Sequence, residues 1–282
     1  MKSFAGIHPQ YADFEKSKII LQSIPYDGTS TWGKGADAGF TAFLEAAENM
    51  ELYDIETDSE VYTQGIHTPK EWGSFKSPEE MFKQVYSRVH ELIRTDRFLT
   101  FFGGEHSVSI GIIKAFYERY ENLSVLHIDA HADLRPEYNG SKYNHACAVH
   151  DASLNCNLVQ VGIRSMDASE KQYMNPHQVY FAHEMHYDID WIENAITDLT
   201  DNVYITLDLD VLDPAIMPAT GTPEPGGLDW YTLTHFLSEV FKYQNVVGFD
   251  IVELAPIEGL AAPQFLAAKL YYKMLSYKFS KT

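Results

Sequence analysis

His127-Ile128-Asp129-Ala130-His131-Ala132-Asp133 follows directly on the apolar run Leu123 to Leu126 and places potential metal ligands at every second position. Thr206-Leu207-Asp208-Leu209-Asp210 repeats the arrangement with two more carboxylates. In an extended strand, residues i, i+2 and i+4 project to one side. Asp129, His131 and Asp133 are therefore expected to aim together, and Asp208 with Asp210. Four carboxylates brought to one place repel one another unless cations lie between them. Oxygen donors with a minority of imidazole suit a hard divalent ion such as Mn²⁺ better than a thiolate-seeking metal. The expectation is a centre for two metal ions. Asp-x-Asp at a strand end is also a common helix cap, turn or solvated edge. A third stretch, Gly103-Gly104-Glu105-His106-Ser107, follows the apolar run Phe98 to Phe102 and brings a histidine to the same kind of place. The three stretches jointly are harder to explain as caps.

Around these motifs, short apolar runs alternate with helix-like segments. Strands are expected at Lys18 to Ile24, Arg97 to Phe102, Leu123 to Ile128, Leu158 to Gly162, Gln178 to Phe181, Val203 to Leu207 and Val246 to Ile251. Most are nearly continuous apolar stretches, the mark of strands covered on both faces. Helices are expected at Ala38 to Met50, Ser77 to Arg94, Val108 to Arg119, Asp190 to Leu199, Asp229 to Phe241 and Pro263 to Phe279. This alternation predicts an α/β fold of three layers, α/β/α, with a mostly parallel central sheet. Ligands of such sheets bind beyond the carboxyl ends of the strands, where every motif above falls. The polar stretch Asp54 to Lys76 reads as a surface excursion, so residues 1–282 are expected to form one domain.

The 282 residues are 45% hydrophobic and 22% charged, enough to bury a sizeable core. No apolar run has membrane-spanning length, and Met1 to Pro9 lacks the apolar centre of a signal peptide. The expectation is a cytoplasmic protein without a membrane partner. The formal net charge of −19 argues against nucleic acid as a partner and is compatible with steering a cationic substrate. Two cysteines, Cys147 and Cys156, make neither a disulfide framework nor a thiolate metal site. Cys147 is expected to be a small apolar filler.

Gly103 to Ser107, Asp129 to Asp133 and Asp208-Leu209-Asp210-Val211-Leu212-Asp213-Pro214 resemble, in order and spacing, the signature motifs of the arginase/agmatinase ureohydrolases. Pro25-Tyr26-Asp27-Gly28-Thr29, Gly221 to Gly227 and Gly248 to Pro256 extend the resemblance over nearly the whole chain. Asp133-Leu134-Arg135 and Tyr143-Asn144-His145-Ala146-Cys147 are most similar to the bacterial and archaeal agmatinase branch. The resemblance implies an arginase-like fold and two Mn²⁺ per chain. His106, Asp129, Asp133 and Asp208 would hold one ion, and His131, Asp129, Asp208 and Asp210 the other. It further implies a homo-oligomer, trimeric or hexameric. Thr206 departs from the serine that many members carry.

The activity so implied is hydrolysis of agmatine to putrescine and urea, in polyamine biosynthesis, with a metal-bridging hydroxide attacking the guanidinium carbon. Asp133 would aim the hydroxide, Glu253 would grip the guanidinium nitrogens, and His145 would relay a proton to the departing amine. Alternatives are a related guanidino substrate (aminopropylagmatine, guanidinobutyrate or arginine), a single-zinc deacetylase-like hydrolase, or a scaffold without turnover. The deacetylases need one ligand set, whereas Asp129 and Asp210 are both present. His127 reads as a core histidine bonded to backbone, and His150, His183 and His186 have no assigned role. Arg135 to Asn139 lacks the short polar run expected for an amino-acid head group. Glu137 and Glu224 are candidates for a substrate's terminal ammonium, and Arg135 is expected to hold a neighbouring carboxylate or carbonyl.

Overall fold

Both sets of alternating side chains are largely apolar along the inner strands, so these strands are stable only when covered on each face. A computed structural model describes residues 3–280. Met1 and Lys2 of the opening segment, and Lys281 and Thr282, lie outside the described residues. The strands are β1 (Ile19–Ile24), β2 (Ile66–His67), β3 (Phe98–Gly103), β4 (Leu123–Ile128), β5 (Asn157–Ile163), β6 (Val179–Phe181), β7 (Asn202–Asp208) and β8 (Asn245–Val252). They make one eight-stranded sheet in the order β2-β1-β3-β8-β7-β4-β5-β6. Its pairings are all parallel, a stricter result than the mostly parallel sheet expected. No helix among the described residues is long and apolar enough to cross a membrane.

The helices are α1 (Pro9–Ala12), α2 (Gly39–Ala47), α3 (Pro78–Leu92), α4 (Val108–Arg119), α5 (His150–Asn155), α6 (Ala182–Met185), α7 (Trp191–Thr197), α8 (Trp230–Tyr243) and α9 (Ala262–Phe279). One face of the sheet packs on α2, α7, α8 and α9 through residues such as Phe43, Trp191, Phe236 and Leu270. The other packs on α3, α4 and α5 through Met81, Val85, Ile112, Phe116 and Ala152. Alternation within a strand sorts the two: Leu126 and Ile128 of β4 join the first core, Leu123 and Val125 the second.

Helix α3 illustrates how sequence sets an element. The Ser77 hydroxyl accepts from the Glu80 N–H at 3.2 Å, and Pro78 supplies a preset φ in the first turn. Met81, Val85 and Val89, four residues apart, form the buried stripe. Each such side chain contributes about 1.5–3 kcal/mol on burial. Val85→Asp would place an unpaired carboxylate there and unseat the helix.

The sequence reading missed β2, which lies inside the supposed excursion 54–76 and pairs Ile66 with Ile19 of β1. Two residues are too short to show periodicity. The one-turn helices α1 and α6 and the short α5 were missed for the same reason.

Chain order explains where a site can form. After β3 the chain skips two places in the sheet to lay down β4, moves outward through β5 and β6, then returns to fill the gap with β7 and β8. The four central strands, β3, β8, β7 and β4, therefore open their carboxyl ends onto one crevice.

Candidate metal centre and active site

Each central strand delivers one part of the site just past its last residues. His106 follows β3, Asp129 to Asp133 follow β4, Asp208 ends β7 with Asp210 in the 3₁₀ turn Leu209–Val211, and Glu253 follows β8. The expected mechanism of convergence is corrected here. β4 ends at Ile128, so the run from Asp129 is loop and not an extended strand. Asp133 has φ +51° and Glu253 φ +69°, left-handed values that L-residues adopt at a cost of about 1–3 kcal/mol. Both residues line the crevice, and the surrounding structure holds that strain in place.

The convergence itself is present. His106 Nδ1 lies 3.0 Å from Asp129 Oδ2, 3.3 Å from Asp133 Oδ2 and 3.4 Å from Asp208 Oδ2. His131 Nδ1 lies 3.0 Å from Asp210 Oδ2 and 3.5 Å from Asp129 Oδ1. Asp129 thus stands in both groups. Potential ligand atoms of Asp129, His131 and Asp210 fall within 4.8 Å of one another, as do those of His106, His127, Asp129 and Asp133. Asp208 also caps its own turn, with Oδ1 accepting from Asp210 N at 2.8 Å. Capping thus occupies one oxygen of Asp208, and the other faces His106.

The Thr206 hydroxyl donates to Asp250 Oδ1 at 2.7 Å, so at 2.9 Å it accepts from His106 Nε2–H. Nδ1 is thereby turned towards three buried carboxylates. Carboxylates crowded this closely call for positive charge between them, and with the imidazole they make a donor set that fits a metal ion. Burial disfavours charge on His106, yet the carboxylates of Asp129, Asp133 and Asp208 hold its pKa well above the ordinary value. Burial and then the neighbouring charges of Asp210 and Asp129 push Asp208 well up. Burial also raises Asp210, with Asp129 adding repulsion. Both shifts report a place short of positive charge.

Support behind the ligands was invisible in the motifs. Buried Asp250 receives Ser109 Oγ, Tyr204 OH and Thr206 Oγ at 3.0, 2.7 and 2.7 Å. Thr206, expected to be a neutral departure, is thus the link that orients His106. Arg164 donates to the carbonyls of Asp210 at 2.6 Å, Glu224 at 2.9 Å, and Gly162 and Val211 at 3.2 Å, tying loops together behind the site. A lone arginine after a strand carries no sequence signal for this. His127 is corrected: its ring meets the Asp129 carboxylate at 2.8 Å and the Gln160 amide at 2.9 Å, not backbone.

Glu253 Oε1 accepts from His106 N at 2.9 Å, and the carboxyl faces the crevice. Burial, with the nearby Glu105 charge, raises its pKa well above the usual carboxylate range. Glu105 itself is buried and pushed up to about 7, although Ser107 donates to it. Gly104 is obligatory because a Cβ there would strike the Tyr26 carbonyl. His145 reaches the crevice from a 3₁₀ turn (His145–Cys147). Its backbone N–H donates to Thr29 Oγ at 3.0 Å, and its Nδ1 lies 3.2 Å from the same oxygen. Burial lowers its pKa, against an upward pull from Asp133. Cys147 is buried outside the crevice lining, its thiol pushed up to about 12 by burial, as a filler should be.

The crevice is a cavity of about 280 Å³, with the ligand cluster and Glu253 at one end. Arg135, Tyr138, Met166, Asp167 and Glu170 also line it. Neither Glu137, which is exposed, nor Glu224 lines the cavity, although Glu224 comes within 3.9 Å of His131 Nε2. Asp167 and Glu170 do line it: Asp167 is exposed, whereas Glu170 is buried and accepts from the backbone N–H groups of Leu134 and Asp167 at 2.8 and 2.6 Å. Arg135 meets Asp167 Oδ2 at 3.5 Å and stacks over Tyr138 at 4.7 Å, the carboxylate partner expected of it.

A sequence model of the arginase family matches residues 17–276. The N(1)-aminopropylagmatine ureohydrolase of Synechocystis sp. is 34% identical, covering 95% of this chain and 90% of its own. The agmatinase of Pyrococcus horikoshii is 30% identical, with 93% of each chain covered. The agmatine ureohydrolase of Thermoplasma volcanium superposes with a TM-score of 0.86 at 28% identity, covering 99% of this chain and 94% of that one.

Proposed function

Since the chain belongs to the arginase family and is a hydrolase of amidine C–N bonds, we propose that it cleaves agmatine to putrescine and urea. The observation that carries this reading is His106 Nδ1, buried within 3.4 Å of three carboxylates in a cavity that Glu253 and His145 also line. In this reading, His106, Asp129, Asp133 and Asp208 would hold one Mn²⁺, and His131, Asp129, Asp208 and Asp210 a second. Four aspartates balance two divalent charges. Bound there, such ions would lower the pKa of a shared water and so supply a nucleophile near neutral pH.

The chain's own groups do the rest. Glu253 spends one oxygen on His106 N and turns the carboxyl towards the cavity, where it can receive guanidinium N–H groups and fix the plane of the substrate. Asp133, which lines the same cavity, would accept a hydrogen bond from the attacking water and aim it. As the C–N bond breaks, the departing amine needs a proton, and His145, whose ring meets the Thr29 hydroxyl, would pass on the one that the attacking water gives up. The assembly would be a homo-oligomer in the cytoplasm.

A cationic tail fits better than an amino-acid head. Arg135, which lines the cavity, is already engaged by Asp167 and Tyr138. An arginine carboxylate would meet the hydroxyls of Thr31, Ser165 and Thr222 but no unpaired arginine or lysine, at a cost of a few kcal/mol. A second reading, aminopropylagmatine as substrate, is favoured by the name of the Synechocystis relative. Urea release from a panel of agmatine, aminopropylagmatine, guanidinobutyrate and arginine tests both. Agmatine should exceed arginine by about a hundredfold in kcat/KM. Equal turnover of arginine would overturn the proposal, and preference for aminopropylagmatine would move it to the second reading.

A further inference from the structure

His127 and Gln160 lie side by side in the sheet, paired in register between β4 and β5, and both are buried. By distance alone His127 could pass for a metal ligand, since its ring nitrogen lies in the same tight group as His106, Asp129 and Asp133. The hydrogens say otherwise. The Gln160 side-chain nitrogen makes two contacts, 2.8 Å to the Ala132 carbonyl and 2.9 Å to His127 Nδ1. A carbonyl only accepts, so this end of the amide must be the NH₂ group. Its second hydrogen points at Nδ1, which must therefore be the bare nitrogen of a neutral ring. Nε2 then carries the ring's hydrogen and donates it to Asp129 Oδ2 at 2.8 Å. Neither nitrogen retains a lone pair for a metal.

We infer that His127 is a positioning residue: the chain Gln160–His127–Asp129 locks the carboxylate that would bridge the two ions, and His127 is not itself a ligand. The other oxygen of Asp129 accepts from His131 N at 2.6 Å, so both oxygens are oriented by donors from the protein. Asp129 is thus held in a defined rotamer by groups that do not depend on the ion. Gln160 completes the device by tying the ring to the carbonyl of Ala132, inside the ligand loop. Outer groups of this kind orient a metal's ligands, and their loss typically weakens metal affinity about ten- to a hundredfold.

The inference rests on the metal reading above, and the test separates the two. Metal-free protein is titrated with Mn²⁺ and free and bound ion are measured directly, without an activity assay. His127→Phe should still take up as many ions at saturation as the parent, with affinity weakened about ten- to a hundredfold. His127→Gln, whose amide can still donate toward Asp129, should recover most of the loss. Gln160→Met leaves His127 in place but frees its tautomer, and should weaken binding in the same direction by a smaller factor. In ¹⁵N spectra of the metal-free parent, His127 should show a protonated Nε2 and an unprotonated Nδ1, and Gln160→Met should blur that distinction. A drop in the number of ions bound by His127→Phe would make His127 a ligand and overturn the inference. So would unchanged affinity in both His127→Phe and Gln160→Met, or an Nδ1–H tautomer in the parent. If the parent itself bound no Mn²⁺, the metal reading would fall, and this inference with it.

Discussion

The two ends of the crevice are built to different standards. At the inner end, donors within the protein fix His106 and Asp129 atom by atom, and two non-glycine residues hold left-handed backbone. At the outer end, Arg135, Tyr138 and Asp167 are partly or well exposed, and the Arg135–Asp167 contact is long at 3.5 Å. Rigid placement at the inner end suits a reaction whose charges must be met in place. A looser rim suits recognition of a tail that contributes affinity but no chemistry. In the proposed reading, the reaction is therefore assigned to one end and the choice of substrate to the other.

The largest effects should come from the innermost carboxylates. Asp129→Ala or Asp208→Ala removes a group from both proposed ion positions and should abolish tight metal uptake and urea release. Asp210→Ala touches one position and should leave partial occupancy, as elemental analysis would read. Equal occupancy in the three variants would contradict the bridging roles. Next comes His145→Ala, for which kcat should fall by about a hundred- to ten-thousandfold, with metal content and KM little changed. Parental turnover would return His145 to an ordinary loop histidine.

Thr29→Val keeps shape but removes the hydroxyl that meets His145 at two points. It should lower kcat about ten- to a hundredfold through misplacement of the ring. Thr29→Ser should restore most of the rate, and in a His145→Ala background Thr29→Val should cost little more. An undiminished additional loss there would show that Thr29 acts elsewhere. The smallest change is expected at the rim. Arg135→Gln breaks a half-exposed pair worth about 0–1 kcal/mol, so KM should move by about fivefold or less at constant kcat. A collapse of kcat would place Arg135 with the inner end and erase the contrast.

The same contrast governs what could be read from sequence. Strand and helix positions were legible because long apolar runs and helical stripes repeat over many residues, as in β4 and α4, while β2 offered two residues. The carboxylate and histidine cluster was legible because three motifs fall together after apolar runs, although Asp-x-Asp alone is a common cap or turn. The reason given for their convergence was wrong, since left-handed Asp133 turns in through a loop that strand geometry cannot describe. Thr206, Asp250, Gln160 and Arg164 were illegible because each acts through a partner far away in the chain. Asp167 was missed for the same reason; of the two acids expected to meet a terminal ammonium, Glu137 lies outside the cavity lining and Glu224 comes within 3.9 Å of His131.

The most direct test is crystallographic: crystals soaked in Mn²⁺ and measured at the manganese absorption edge. Two anomalous peaks per chain are predicted, one beside His106 and Asp133 and one beside His131 and Asp210, with Asp129 and Asp208 reaching both. A single peak, or a peak coordinated by His127, would contradict the account.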